Sequence, residues 1–235
     1  MRYTSFAVTL VLLILPLALP RDASAWFDAT VGTVLVPSNE RPLRGSDPRT
    51  GPLWPGEGAT IRWRKSKALG TPGEGRLVRG VRFPTEGELF FTWDPVLHVS
   101  PNRVWRRWGT DDLVRVVLRV IRRYSELHPT APRIGVGDLS LRRGGYFGPK
   151  HATHQNGLDA DVYYPRLDRR ERPPKRADQV DHRLAQDLVD LFVAAGADIV
   201  YVGPNTRLTG PPGVVQPLWN HDNHLHVRIR APAVD

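Results

Sequence analysis

Residues 224–230 read HLHVRIR and are expected to form a short strand. Alternate side chains of a strand share one face, so His224 and His226 project to the same side. Three more short runs read as strands: RIGVGDLS (133–140), GLDADVYY (157–164) and DIVYVG (198–203). Residues 109–129, GTDDLVRVVLRVIRRYSELHP, carry a helical signature. Thr110 can cap that helix, Asp111 and Asp112 suit its first turn, and Pro129 ends it. Leu113, Val116, Val117, Val120, Ile121 and Tyr124 fall on one face at helical spacing. A second amphipathic helix is predicted over 180–195, with Leu184, Leu188, Leu191, Phe192 and Ala195 as its stripe and Gly196 at its end. Strands mixed with two helices predict an α+β domain, a small antiparallel sheet flanked by helices.

The 235 residues suit one domain with modest extensions. With 40% hydrophobic and 24% charged residues, a conventional core is affordable. The 22 prolines and 21 glycines favour a loop-rich fold over a helical bundle. Residues 1–25 read as a signal peptide: Arg2 is followed by an apolar run over 6–20, then Ala23-Ser24-Ala25 offers a cleavage site before Trp26. The run is shorter than the ~20 residues a spanning helix needs. Pro16 and Pro20 interrupt it, so no transmembrane anchor is expected after processing. Residues 26–62 form a Pro/Gly/Arg-rich arm without periodicity, and the folded domain is placed at 63–235. The protein is therefore expected to be exported, periplasmic or secreted.

There is no cysteine, which excludes disulfides, thiolate nucleophiles and Cys-ligated zinc. The net charge is +9, and losing two Arg and one Asp with the leader leaves about +8. Such a balance suits an anionic polymer outside the cytoplasm, or merely solubility; export argues against nucleic acid as the partner.

Five of the eight histidines fall in two short segments, HATHQNGLDAD (151–161) and HDNHLH (221–226). In the first, Gly157 permits a tight turn, so that loop His154 and strand Asp161 can converge. Two imidazoles and a carboxylate match a catalytic zinc site, which keeps one position open for water. Zinc lowers that water's pKa from 15.7 to about 7. By spacing alone, a hydrogen-bonded histidine network remains the alternative. Asp159 is expected to orient a ligand or cap a turn, and Asp222 and Asn223 to brace ligands or turns. His98, His128 and His182 read as ordinary surface or core histidines.

In GGYFGPKHATHQNGLDADVYYP (144–165) and WNHDNHLHVRIR (219–230), the chain resembles the penicillin-insensitive murein endopeptidases. These belong to a wider zinc-peptidase group with lysostaphin-type enzymes, D-Ala-D-Ala carboxypeptidases and the hedgehog signalling domain. SPNRVWRRWGTDDLV (100–114) and IGVGDLS (134–140) resemble the same family, and the similarity runs over about 63–230. The group's marks, H-x6-D and H-x-H, occur in order, and His151 and His221 stand three residues ahead of them. The resemblance implies a hedgehog/D-Ala-D-Ala-peptidase-like fold, Zn2+ held by His154, Asp161 and His226, and His224 assisting catalysis beside His151 and His221. It also implies peptidoglycan stem peptides as partner and the D-alanyl–diaminopimelyl cross-link as the bond hydrolysed. A second metal site including His151 is a further family feature. Asp178, Asp181 and His182 lie in the matching region, but their spacing settles no assignment.

Zinc-assisted amide hydrolysis is the expected chemistry, with no glutamate beside either motif to act as base. Arg142 and Arg143 read either as holders of a stem-peptide carboxylate or as a solvated charge pair. The rivals are a D,D-carboxypeptidase on the same fold and a catalytically silent wall-binding module. Serine-triad chemistry finds no nucleophile-elbow context.

Overall fold

The computed structural model describes residues 61–149 and 151–231. The leader and nearly all of the 26–62 arm lie outside the described residues. Ile61 and Trp63, at the start of the described chain, are both buried in the core.

The chain opens with a hairpin of β1 (Lys67–Thr71) and β2 (Glu74–Val78), joined through Pro72 and Gly73. Two short strands, β3 (Val81–Arg82) and β5 (Trp108–Gly109), pair with each other; between them lies β4 (Phe90–Thr92). Helix α1 (Asp111–Leu127) begins where Thr110 Oγ1 accepts a hydrogen bond from the Leu113 N–H, 3.1 Å. The expected apolar face is present, widened by Val114 and Leu118, while Val116 sits only half-buried. After it come β6 (Ile134–Val136) and β7 (Asp159–Tyr163), then α2 (His182–Ala194), β8 (Ala197–Val202), β9 (Val215–Pro217) and β10 (His224–Ile229). Helix α2 starts two residues later than the periodicity suggests. Asp181 is its cap, accepting from the Leu184 N–H at 3.1 Å, and Val180 is held outside the helix by a bridge to Arg166.

Six strands form one sheet in the order β4-β6-β7-β10-β8-β9. The expected antiparallel sheet is corrected to a mixed one. Its centre, β6-β7-β10-β8, is antiparallel, but the edge pairs β4–β6 and β8–β9 are parallel. Parallel neighbours need a crossover connection of a dozen or more residues. Helix α1 supplies one for β4 and β6, and the long 203–214 segment supplies the other.

Antiparallel register divides β7 and β10 into two faces. Val227 lies opposite Ala160 and Leu225 opposite Val162, and all four are fully buried in the cluster that also holds Val117, Leu118, Ile121, Leu188 and Phe192 from the helices. Each buried valine, leucine, isoleucine or phenylalanine in this set contributes roughly 1.5–3 kcal/mol, which anchors this face to the helices. The intervening residues, Asp159, Asp161 and Tyr163 on β7 with His224, His226 and Arg228 on β10, point to the opposite face. One packed face thus holds the other, polar face in register.

Candidate metal centre

His226 stands directly across from Asp161 in the β7–β10 ladder. Its Nδ1 lies 3.2 Å from Asp161 Oδ1, and its Nε2 lies 2.8 Å from Asp159 Oδ1. Asp159 is fully buried and also accepts from Arg228 Nε at 2.8 Å, so it fixes the His226 ring as the sequence expectation for Asp159 requires. His154 arrives from the loop ahead of β7, with a left-handed backbone (φ 69°) and only 2% exposure. The turn after it uses Gly157 at φ +78°, where a Cβ would strike Leu77 Cδ1 at 2.8 Å. His154 Nδ1 is 2.5 Å from the Leu139 carbonyl, which turns Nε2 toward Asp161 Oδ1, 3.3 Å away. One donor atom each from His154, Asp161 and His226 lies within 4.8 Å of the others.

The electrostatics of this cluster call for a cation. Burial alone would raise the Asp161 carboxyl, but His154, His224 and His226 hold it well below the usual carboxylate range. For His226, burial works against the charged ring, yet Asp159 and Asp161 raise its pKa to about 9. Two carboxylates therefore keep a positive charge between them: a proton on His226, or a metal ion that replaces it. A donor set of two imidazole nitrogens and one carboxylate, each ring braced from behind, fits zinc.

The remaining histidines of both segments join the cluster. His224 Nδ1 is 2.7 Å from Asn223 Oδ1, and its Nε2 is 3.7 Å from Asp161 Oδ1. Burial pulls its pKa down to about 4, so it is neutral near pH 7. The His221 ring lies 4.6 Å from that of His224, its Nδ1 2.8 Å from the Trp219 carbonyl. His151 packs edge-on to Phe147 at 4.6 Å and lies 5.3 Å from the His154 ring. Asp222 braces a turn through Asn205, accepting from its backbone N–H at 3.1 Å and from Nδ2 at 2.6 Å.

Sequence reasoning missed Asp138. Its carboxylate is fully buried, 3.0 Å from His151 Nε2, and accepts from Asn102 Nδ2 at 3.0 Å and from Arg106 through both oxygens. Arg106 in turn lies over the Trp105 and Phe147 rings at 4.8 and 5.0 Å. The signal was present: a charge inside the apolar run 133–140 must find partners. Asp138 and Leu139 together orient the two histidines of the first segment, one by its side chain and one by its carbonyl. Asp138, His151 and Asp161 also bring donor atoms close together. Asp138 oxygens already committed to Arg106 and Asn102 make it an orienting group for His151.

Asp178, Asp181 and His182 are not brought to His151. Asp178 pairs with Arg176 at 2.8 Å on the surface, Asp181 caps α2, and His182 is exposed in its first turn. His98 is exposed, and His128 lies 3.0 Å from Asp187. Arg142 and Arg143 part company: the Arg142 guanidinium lies over Trp108 at 5.6 Å, whereas Arg143 lines a separate cleft.

A family model described as penicillin-insensitive murein endopeptidase matches residues 68–199. The match takes in Asp138, His151, His154 and Asp161 and ends before the 221–226 segment. Proteins named penicillin-insensitive murein endopeptidase are similar along the chain. That of Salmonella paratyphi C (strain RKS4594) is 29% identical over 159 residues, 54% of this chain and 56% of the relative. That of Haemophilus influenzae (strain ATCC 51907 / DSM 11121 / KW20 / Rd) is 25% identical over 197 residues, 72% of this chain and 65% of the relative. The Escherichia coli O1:K1 / APEC protein is 26% identical over 200 residues, with 72% and 68% covered. The chain thus spans between about half and two thirds of the length of these relatives. Matched by the family model over more than half of its length, the chain belongs to the penicillin-insensitive murein endopeptidase family.

Proposed function

We propose that this chain is an exported, zinc-dependent endopeptidase that hydrolyses D-alanyl–diaminopimelyl cross-links in peptidoglycan, on a hedgehog/D-Ala-D-Ala-peptidase-like fold. The observation that carries the reading is the convergence of His154, Asp161 and His226 beside a neutral, oriented His224. The substrate rests on the family and on the names of the relatives. Export rests on residues 1–25, read as a signal peptide ahead of an arm and a domain from about 63. Among the described residues, no helix is long and apolar enough to cross a membrane.

His154 Nε2, an Asp161 oxygen and His226 Nδ1 would hold the zinc. Bound there, the ion supplies Lewis acidity toward the scissile carbonyl and a water that ionises near neutral pH. The chain's own part follows from its hydrogen bonds. Asn223 Oδ1 is an acceptor, so the nearby His224 Nδ1 carries the proton and Nε2 is left with a lone pair. That Nε2 takes a proton from the attacking water and returns it to the leaving amine. His151, fixed by Asp138, and His221, fixed by the Trp219 carbonyl, present two further polar groups to the bound peptide.

The test is digestion of cross-linked murein dimers by the full chain, read by mass spectrometry. Dimers are expected to become monomers, a chelator to stop the reaction and zinc to restore it. Loss of a terminal D-Ala with dimers left joined would replace this reading by a carboxypeptidase. His224→Ala is expected to retain bound zinc and lose turnover.

A further inference from the structure

A second cleft, of about 490 Å3, lies apart from the histidines and is lined by Arg76, Leu77, Val78, Arg79, Arg143 and glycines 144 and 145. Three of these residues are arginines and none is acidic. Several guanidinium groups of the chain are paired with carboxylates, as in Arg106–Asp138, Arg166–Asp168 and Arg133 with Glu86 and Glu171. Among the described residues, no ion pair or side-chain hydrogen bond satisfies Arg76, Arg79 or Arg143, although all three are exposed around one hollow. Glu74, two residues before Arg76 on β2, forms no ion pair with it. Arg79 also has a left-handed backbone, φ 53°, an arrangement that costs energy in a non-glycine residue. Three positive groups around one concave surface create a field that favours an anion. Arginine's planar fork suits a carboxylate, which it can bind through two N–H groups.

The cleft is built onto the metal-binding loop. Residues 143–145 run beside β2, with the Leu77 N–H donating to the Arg143 carbonyl at 2.9 Å. The Gly145 N–H donates to the carbonyls of Gly75 and Gln155 at 3.0 and 2.9 Å, and the Gln155 N–H donates to Pro72 O at 3.0 Å. Gly144 has φ +68°, and a Cβ there would meet the Gln155 carbonyl at 2.1 Å, so the cleft floor and the loop are in backbone contact. Gln155 follows His154 directly. One hydrogen-bonded step and one Cα–Cα step put the cleft floor on the order of 10 Å from His154.

We propose that the Arg76–Arg79–Arg143 cleft is a carboxylate-binding subsite that seats an acidic residue of the murein peptide flanking the amide being cut. This rests on the hydrolase reading above. The test compares the zinc-loaded full chain with Arg76→Ala, Arg79→Ala, Arg143→Ala and the triple variant. The substrates are a murein dimer with free carboxylates and the same dimer with its carboxyls amidated. Each single substitution is expected to raise KM about fivefold on the free-carboxylate dimer, the scale of an exposed ion pair, and to leave kcat unchanged. Lys at the same positions should restore part of the loss, and the amidated dimer should not distinguish the variants from the parent. Unchanged KM in the triple variant, or equal losses on both dimers, overturns the proposal. So does inorganic phosphate displacing the peptide at a lower concentration than free acetate does, which would make this a phosphate site. Should the parent cut neither dimer, the hydrolase reading fails. Calorimetric binding of the free-carboxylate dimer to parent and triple variant then still decides the cleft: heat lost in the triple variant supports it, and equal heat overturns it.

Discussion

Replacing Asp138 by Asn keeps the shape of the side chain and removes its charge. The Asp138 side chain is fully buried and that of Arg106 is 5% exposed, so the substitution strands a guanidinium out of water. Removing one partner of such a pair costs about 3–5 kcal/mol, because the remaining charge stays buried without compensation. Stacking over Trp105 and Phe147 keeps Arg106 from swinging out to solvent, which favours the upper part of that range. At about 2–4 °C per kcal/mol for a domain of this size, the midpoint of thermal unfolding should fall by roughly 10 °C. Urea unfolding of chelator-treated protein measures the effect without a contribution from metal binding. The double variant Arg106→Met/Asp138→Asn removes both charges and should recover at least half of the loss. Zinc affinity should stay within about threefold, because the bracing of His154 and His226 runs through Leu139 and Asp159 instead. A single variant destabilised by less than about 1 kcal/mol, or a double variant worse than either single, would show that the pair is not the buried, coupled unit described.

Asp159→Asn should weaken zinc binding about 10–100-fold, measured by competition with a chromophoric chelator, because His226 loses the carboxylate behind its ring. Thr110→Ala should cost about 1 kcal/mol in urea unfolding through loss of the α1 cap. Stability should also fall in acid through Asp94. Burial pushes that carboxyl up, but the Leu97 N–H, Arg103 and the Val96 N–H outweigh it and hold its pKa below the usual 3.8. A lowered folded-state pKa gives stability that is full above 3.8 and is lost as pH falls through the folded value. Asp94→Asn should therefore show a flatter stability curve below pH 4 than the parent, by urea titration at successive pH values.

Local pattern determined much of this molecule. The 3.6-residue stripe with Thr110 and the acidic first turn placed α1, because capping and amphipathicity involve neighbours in the chain. Two-residue alternation put His224 and His226 on one face, and Gly157 marked the turn that returns His154 toward Asp161. Relations between distant segments were decided only in three dimensions. Asp138 could be seen as a charge in an apolar run, but its partners Arg106, Asn102 and His151 come from other parts of the chain. The parallel edge pairs depend on how α1 and the 203–214 segment cross the sheet, which side-chain periodicity does not encode. Arg142 and Arg143 are neighbours in sequence, yet one lies over Trp108 and the other joins Arg76 and Arg79. A polar side chain's role depends on which opposite charge or empty space lies within a few ångströms, and the tertiary fold sets that distance.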